Sequence, residues 1–560
     1  MSDALLIFTI AGVQRFIGEA RRLSDLVAGS RLVARLAGVA ARGVQDAGGT
    51  LLFPPVVSDR MPNRIVARVD GRRIPVVADA ARRALDAEFR GQADKARATL
   101  ARTGPAPDRV WEEIWERQLA SQWETFWAAA PLSGGDYGDA YRDASRALDG
   151  CKRTRAFPQA VEEGWKDSLS GSRAALHTGD SGDARGYWAR VGANYPPSRL
   201  KPEGKERLDA MGALKRFGSL AERVPSVSSV ASADFLAAAR GSPGLERYRD
   251  AVQRLLGSSL YRVSEDPEWP YDGDLFYRET LEPSRLRDSH GINRIDQQLR
   301  AEALDALLAL HKETGGPPSP YYALLMLDGD RMGERISGCR TEEEHRRLSS
   351  RVAAFASGAG DLLKSDGRWG QPVYAGGDDV LALLPLRTAT AAALDLAEAF
   401  ANSTGGTASA GLALVHHLYP LDAALATAHR AEEAAKEVEG KDAVGVRVVK
   451  RSGEVVELRS PRAPLQASWG RLCDWFARET LSSRFAQEVA VSAGPLAANQ
   501  EGFGAELRRL IRRHRARGSR EPADGFAEEL AGWSASLPER ARGLAGWLQL
   551  ARFVAKGGEE

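Results

Sequence analysis

Cysteine is nearly absent from this chain: Cys151, Cys339 and Cys473 are the only three in 560 residues. They are too few and too scattered for a disulfide framework or a four-thiolate zinc site, so no zinc is expected and a reducing, cytoplasmic setting fits. Long apolar runs are missing too. The opening MSDALLIFTIAGVQRF holds a short apolar stretch without a basic lead, a cleavage site or a membrane-length span, so no membrane partner is expected. An excess of one charge is also lacking. The net charge of +2 means the whole chain is no polyanion sponge, and any basic surface must be local. Lysine is scarce, 12 against 65 arginines, a bias that fits a GC-rich genome more than a mechanism. None of the eight histidines is followed by aspartate. What remains, 43% hydrophobic and 27% charged, is ordinary globular composition, and the length predicts three or four domains.

The pattern along the chain is α+β. LLIFTI is a strand-length apolar run, residues 14–41 follow with helical spacing, and GGTLLFPPV reads as turn, strand and proline stop. Residues 110–130 read as an amphipathic helix whose Trp111, Trp115, Trp123 and Trp127 share a face, with packing favoured over a ligand platform. Residues 1–132 are therefore expected to be a small α/β domain with a helical insertion. Residues 133–315 are expected to be an irregular, mainly helical middle domain with short helices at 204–217 and Pro243–Leu256. After the linker GGPPSP the order sharpens to βαββαβ over 316–460, the ferredoxin-like palm order: YYALLMLDGD, a helix over Glu342–Lys364, the hairpin QPVYAGGDDVLALLPL, a helix over 388–402, TASAGLALV, a helix over 421–439 and AVGVRVVK. Residues 461–560 read as a helical C-terminal domain.

The chemistry sits at the second of these units. Asp328 ends an apolar strand, and Asp378 and Asp379 follow Gly376 and Gly377 at the turn of the neighbouring hairpin. Adjacent strands bring such carboxylates together, and their mutual repulsion calls for cations. Oxygen-only ligands favour two Mg²⁺ or Mn²⁺ ions, which activate a 3′-hydroxyl and stabilise a leaving pyrophosphate. Gly376 and Gly377 are expected to take positive φ and to admit a triphosphate, with Gly329 as a flexible turn beneath it. Asp330 fits two roles, a further carboxylate under the phosphates or a cap on the next turn. Lys436 either reaches the triphosphate or is a solvated helix end. Ser409 is a candidate for lining the nucleotide pocket. His416 and His417 are expected to be structural. The arginine-rich 508–520 segment is either an RNA contact or a solvated helix end.

These residues and the N-terminal stretch IAGVQRFIGEARRLSDLVAGSRLVARL resemble the large subunit of type III CRISPR effector complexes, in the III-B-like Cmr branch. FPPVVSDRMPNRIVARV, RAFPQAVEEGWKDSLSGSRAAL, RVPSVSSVASADF, YYALLMLDGDRMGERISG, YAGGDDVLALLP, SAGLALVHHLYPL and GVRVVKRSGE extend the resemblance, in order, over about residues 3 to 455. The resemblance implies two palms face to face, the first of them acid-free. It implies conversion of ATP into 3′-5′ cyclic oligoadenylate messengers in antiviral defence, with Ser30 in the first palm beside a second ATP. It also implies assembly with guide RNA, target RNA, small helical subunits and a palm-adjacent subunit. Many such subunits carry an HD nuclease domain with a His-Asp dipeptide; without one, no nuclease activity is expected from this chain.

Two other functions fit the same residues. One is transfer of AMP to another acceptor such as S-adenosylmethionine; the other is a non-catalytic RNA-binding scaffold, against which the intact Asp328, Asp378 and Asp379 argue. A diguanylate cyclase is disfavoured because Asp379-Val380, not Glu-Phe, follows the first acidic position at Asp378.

Overall fold

The computed structural model describes residues 3–132, 136–154, 162–181, 183–220, 224–516 and 523–558. Its first part runs β1 (Asp3–Ala11), α1 (Val13–Gly18), α2 (Leu23–Asp46), β2 (Thr50–Phe53), β3 (Arg64–Asp70), α3 (Ile74–Thr103), α4 (Arg109–Ala120) and β4 (Glu124–Pro131). The sheet order β2-β3-β1-β4 is antiparallel and ferredoxin-like. Alternation along β1 buries Leu6, Phe8 and Ile10 under α2 and α3, and Leu5 and Ile7 on the opposite face.

The tryptophan-rich stretch departs from the expected helix. α4 stops at Ala120 and β4 follows as an edge strand. Trp111 and Trp115 stack in the core with centroids 4.9 Å apart, Trp123 packs on Phe16, and Trp127 on the strand is 40% exposed. The helical spacing of four tryptophans was coincidental, because Ser121 and Gln122 interrupt the backbone ladder. Residues 14–41 likewise divide at Glu19–Arg22 into α1 and α2.

The middle segment contributes α5 (Tyr137–Arg153), α6 (Ala184–Gly192), α7 (Ala210–Phe217), α8 (Val227–Ala231), α9 (Ala233–Ala239), α10 (Pro243–Leu256), α11 (Pro283–His290) and α12 (Gln297–Glu313). It is not one packed body. α5 covers the back of the first sheet, α6 and α7 complete the core beneath α3 and α4, and α9, α10 and α12 form a cluster of their own. α10 begins where Ser242 caps the Leu245 amide at 3.1 Å and Pro243 takes the first turn.

The second sheet comprises β5 (Tyr321–Gly329), β6 (Gln371–Gly376), β7 (Asp379–Pro385), β8 (Ala408–His416), β9 (Ala443–Val449) and β10 (Val455–Pro461), in the order β10-β9-β8-β5-β7-β6. Four of its strands, β8-β5-β7-β6, repeat the antiparallel ferredoxin-like arrangement of the first sheet, and β9 joins parallel to β8. β10, which the sequence pattern did not reveal, pairs with β9. Helices α13 (Met332–Ser337), α14 (Glu342–Lys364) and α15 (Ala389–Thr404) belong to one face, while α16 (Leu421–Lys436) packs over β8 and β9 on the other. Beside α16, Leu23, Leu26 and Val27 of α2 pack on Tyr322, Leu324 and Leu383, joining the two sheet domains. Helices α17 (Arg462–Ala477), α18 (Ser483–Ala493), α19 (Gln500–His514), α20 (Ala523–Ser536) and α21 (Arg540–Ala555) close the fold, with Trp533 donating its ring N–H to Ser460 at 2.8 Å. Among the described residues no helix is long and apolar enough to cross a membrane.

Candidate active site

β5 carries buried apolar side chains on both faces as far as Leu327, so Asp328 is the first strongly polar position at its end. Leu327 pairs with Val380 on one side, and Asp328 with Ser409 on the other. In the hairpin, Gly376 pairs with Asp379, which leaves Gly377 and Asp378 as a two-residue turn. Gly377 has φ +68°, where a side chain costs roughly 1–2 kcal/mol. The expectation of positive φ at both glycines is corrected here: Gly376 has ordinary strand backbone, and its carbonyl accepts from the Tyr374 hydroxyl at 3.0 Å. Gly329 has a different reason to be glycine. A Cβ there would lie 2.9 Å from the Cβ of Asp378 and 2.7 Å from the Phe400 ring.

These strand ends place one carboxylate oxygen each from Asp328, Asp378 and Asp379 within 4.8 Å of one another. Among the described residues, no other group of three His, Cys, Asp or Glu side chains converges this closely. Burial and the adjacent Asp328 charge push Asp378 up to about 6. Desolvation within the cluster, the hydrogen bond shared with Asp328 and the charge of Asp378 drive Asp379 above the carboxylate range, although the residue keeps an exposed face. Burial would raise Asp328 too, but the hydrogen bond from Asp379 and the Lys436 ammonium hold it low. Lys436 ion-pairs with Asp328 and, one turn back, with Glu432. Burial opposes the charge on Lys436, yet these carboxylates keep its ammonium well above the usual lysine range. Two aspartates forced toward protonation around a third are a set that a cation would relieve. Three oxygen donors without sulfur or imidazole suit Mg²⁺ or Mn²⁺.

The other anticipated residues divide. Lys436 is brought to Asp328, and Gly329, Gly376 and Gly377 shape the turn. Asp330 and Ser409 are engaged elsewhere: Asp330 accepts from the Ser409 hydroxyl at 2.9 Å, the Thr407 hydroxyl at 2.8 Å and the Asp442 amide at 3.0 Å. Asp330 thus neither faces phosphates nor caps α13; it ties β5 to β8 and to the segment entering β9. Ser409 and Ser30 are both buried, and the Ser409 hydroxyl is bonded to Asp330. Ser30 lies in α2, which passes β6.

Sequence reasoning missed three neighbours. Phe53 at the end of β2 and Pro62 in the 54–63 connection lie against Gly377, 3.6 Å from where its Cβ would be. Their only signal was the FPPVVSDRMPN block. Glu432 was legible in principle, since it stands four residues before Lys436 on one helix face. Away from the site, His417 stacks on Tyr277 at 4.1 Å and bonds Ser228 at 2.9 Å, a packing role. Of the arginine-rich segment, Arg509, Arg512 and Arg513 are paired with Glu506, Asp524 and Glu488, and residues 517–520 lie outside the described residues.

Comparison with known proteins agrees with this geometry. The family model for the second palm domain of Cas10/Cmr2 matches residues 321–445, and that for the N-terminal region of CRISPR-associated protein Cmr2 matches residues 5–166. The Cmr2 subunit of the Pyrococcus furiosus Cmr CRISPR system is 33% identical over 235 residues, 35% of this chain and 26% of that protein. The match therefore spans about a quarter of that relative's length. Among solved structures, a type III-B Cmr-beta in its apo state superposes with a TM-score of 0.69 over 100% of this chain and 82% of its own, at 14% identity. A type III-B Cmr-beta bound to cognate target RNA gives 0.64 over 94% and 80%, also at 14% identity. Likeness at that identity is one of fold; the two family matches, in chain order and one across the acidic turn, carry the assignment. Residues 5–166 and 321–445 thus carry the N-terminal and second-palm patterns of the Cas10/Cmr2 proteins of CRISPR systems.

Proposed function

We propose that the chain is a nucleotidyltransferase that joins ATP through 3′-5′ linkages into cyclic oligoadenylates when its complex captures target RNA. The observation that carries this reading is the convergence of Asp328, Asp378 and Asp379 within 4.8 Å at the end of a palm sheet. The match of residues 321–445 to the Cas10/Cmr2 second palm, and of 5–166 to the Cmr2 N-terminal region, supports ATP as substrate and assembly with guide RNA and further Cmr-type subunits.

In this reading Asp328, Asp378 and Asp379 hold the divalent ions. Ions bound there supply Lewis acidity toward an attacking 3′-hydroxyl and a departing pyrophosphate. Asp378 and Asp379 give up their raised proton affinity on ion binding. Lys436 keeps Asp328 ionised and oriented in the meantime. Phe53 and Pro62 face the space that a side chain at Gly377 would take, and so hold the turn that carries Asp378.

The test is to incubate the purified chain, alone and in its assembled RNA complex, with labelled ATP and Mg²⁺ or Mn²⁺, and to weigh the products by mass spectrometry. Cyclic adenylates should form and vanish in Asp378→Ala/Asp379→Ala. An AMP conjugate appearing only with S-adenosylmethionine would replace the cyclase reading, and an assembled complex yielding no product would end it.

A further inference from the structure

Two glycines seat the last turns of α16 on the second sheet. Gly411 of β8 and Gly445 of β9 are paired across the strands. A Cβ at Gly411 would overlap the Glu432 amide nitrogen and come within 2.6 Å of the Ala428 carbonyl oxygen. One at Gly445 would overlap the Ala431 carbonyl and lie 3.2 Å from the Ala435 amide. Backbone therefore meets backbone along this stretch, with Ala428, Ala431 and Ala435 buried around the contact. A helix held this closely fixes where each of its side chains starts.

Glu432 stands apart on the seated stretch. Among the buried residues of α16 it alone is charged, and it is 7% exposed. Its ion-pair partner is Lys436, four residues on. Burying a carboxylate costs solvation that a single pair repays only in part, and an apolar side chain there would carry no such cost. Stability alone therefore gives no reason for an acid at this position. Lys436 supplies one. It ends the helix on a flexible four-carbon stem and is 30% exposed, so without a fixed partner its ammonium would sample many positions. Glu432 confines it to those that also touch Asp328.

Asp328 serves two cations. It offers an oxygen to the acidic cluster and another contact to the Lys436 ammonium. A divalent ion seated on the cluster would stand beside that ammonium, and like charges this close repel strongly away from bulk water. The ammonium reaches Asp328 and Glu432 together. A small rotation of the stem therefore carries it wholly onto Glu432 with its charge still paired.

We infer that Glu432 is a positioning residue for the metal seat, taking the Lys436 ammonium when a divalent ion occupies Asp328. Ion and lysine then share a site that would otherwise hold one cation at a time. This rests on the reading of Asp328, Asp378 and Asp379 as ion ligands.

The experiment titrates the full chain with Mn²⁺ alone, without nucleotide, and reads free Mn²⁺ by electron paramagnetic resonance. Asp378→Asn/Asp379→Asn marks which binding belongs to the cluster. Glu432→Gln should weaken that binding about tenfold, the lower end of the loss on removing a group that orients a metal's surroundings. Lys436→Met, which removes the competing cation, should tighten it. In the Lys436→Met background Glu432→Gln should have little effect, because nothing is left for it to hold. Melting curves check that each variant is folded, and Lys436→Met tests the competition by itself if Glu432→Gln unfolds. A parent chain that binds no Mn²⁺ at the cluster would sink this inference together with the ion-ligand reading. Mn²⁺ bound equally by the parent and Glu432→Gln, an equal loss in both backgrounds, or weaker binding in Lys436→Met would overturn the inference and leave the ion-ligand reading standing.

Discussion

In the first sheet domain Asp25 lies wholly buried on α2 and receives Arg216 at 2.6 Å through Nε, while Glu206 accepts from the same guanidinium at 3.0 Å. At the second sheet, three aspartates converge with one lysine among them. Strand order is shared; the use of carboxylates is opposite. The first set is neutralised from within and ties α7 to α2, with Arg22 adding a second cation to Glu206 at 3.2 Å. The second set has more acid than the protein itself neutralises, and that surplus is what a divalent ion requires. The backbone differs to match. Where the second sheet has a two-residue turn carrying Asp378, the first has the longer 54–63 connection, whose Pro62 packs on that turn.

The largest expected effect breaks the neutralised set. Arg216→Met leaves Asp25 buried without its cation and Glu206 with Arg22 alone, and should cost about 3–5 kcal/mol in denaturant unfolding. Lys436→Met should cost no more than ~1 kcal/mol, because Lys436 and Asp328 are each about one-third exposed. Similar losses in the two variants would erase the distinction between joint and ion seat.

Next comes the surplus set. Asp379→Asn removes a carboxylate that the adjacent Asp328 and Asp378 disfavour, so the melting temperature should hold or rise. Product formation should fall by ~10²-fold or more, the scale of losing a principal electrostatic group at a reaction centre. A fall in melting temperature like that of Arg216→Met would make the aspartates structural.

Acid sharpens the same contrast. Burial would raise Glu206, but Arg216 and Arg22 beside it bring it down to about 2 from 4.5. A depressed carboxylate stabilises the fold fully above the unfolded value and loses that contribution as pH falls from 4.5 toward 2. Melting curves across that window should be shallower in Glu206→Gln than in the parent. Parallel curves would mean that the pair does not set acid stability.

Much of the second sheet was legible because its signals are local. Thr341 capping Glu344, with Glu342 and Glu343 in the same first turn, marks the start of α14, and the apolar run ending at Asp328 marks β5. The acidic cluster followed because strand adjacency converts a separation of about fifty residues into contact. Other features had no local signal. Asp25 and Arg216 are 191 residues apart, and nothing near either announces the other. β4 was hidden by tryptophans that happen to fall at helical spacing. The first half of the middle segment joins the first core through tertiary packing that its glycine- and proline-rich sequence does not encode periodically.

Ser409 provides the finest test, since its residue type fits a nucleotide contact and its position does not. It pairs with Asp328 across the sheet, one strand from the chemistry, yet its hydroxyl is spent on Asp330. Asp330 in turn holds Thr407 and the Asp442 amide, so this small network sets the height of β9 beside β8. Ser409→Ala removes one donor from a buried acceptor that keeps two others, and should cost about 1–3 kcal/mol in stability. If Ser409 acts only through Asp330, KM for ATP should stay unchanged while kcat falls modestly, because the strand bearing Asp328 loosens. Asp330→Asn should reproduce that split. A KM increase in Ser409→Ala without loss of stability would show that the hydroxyl leaves Asp330 for the nucleotide, and would return Ser409 to the substrate pocket.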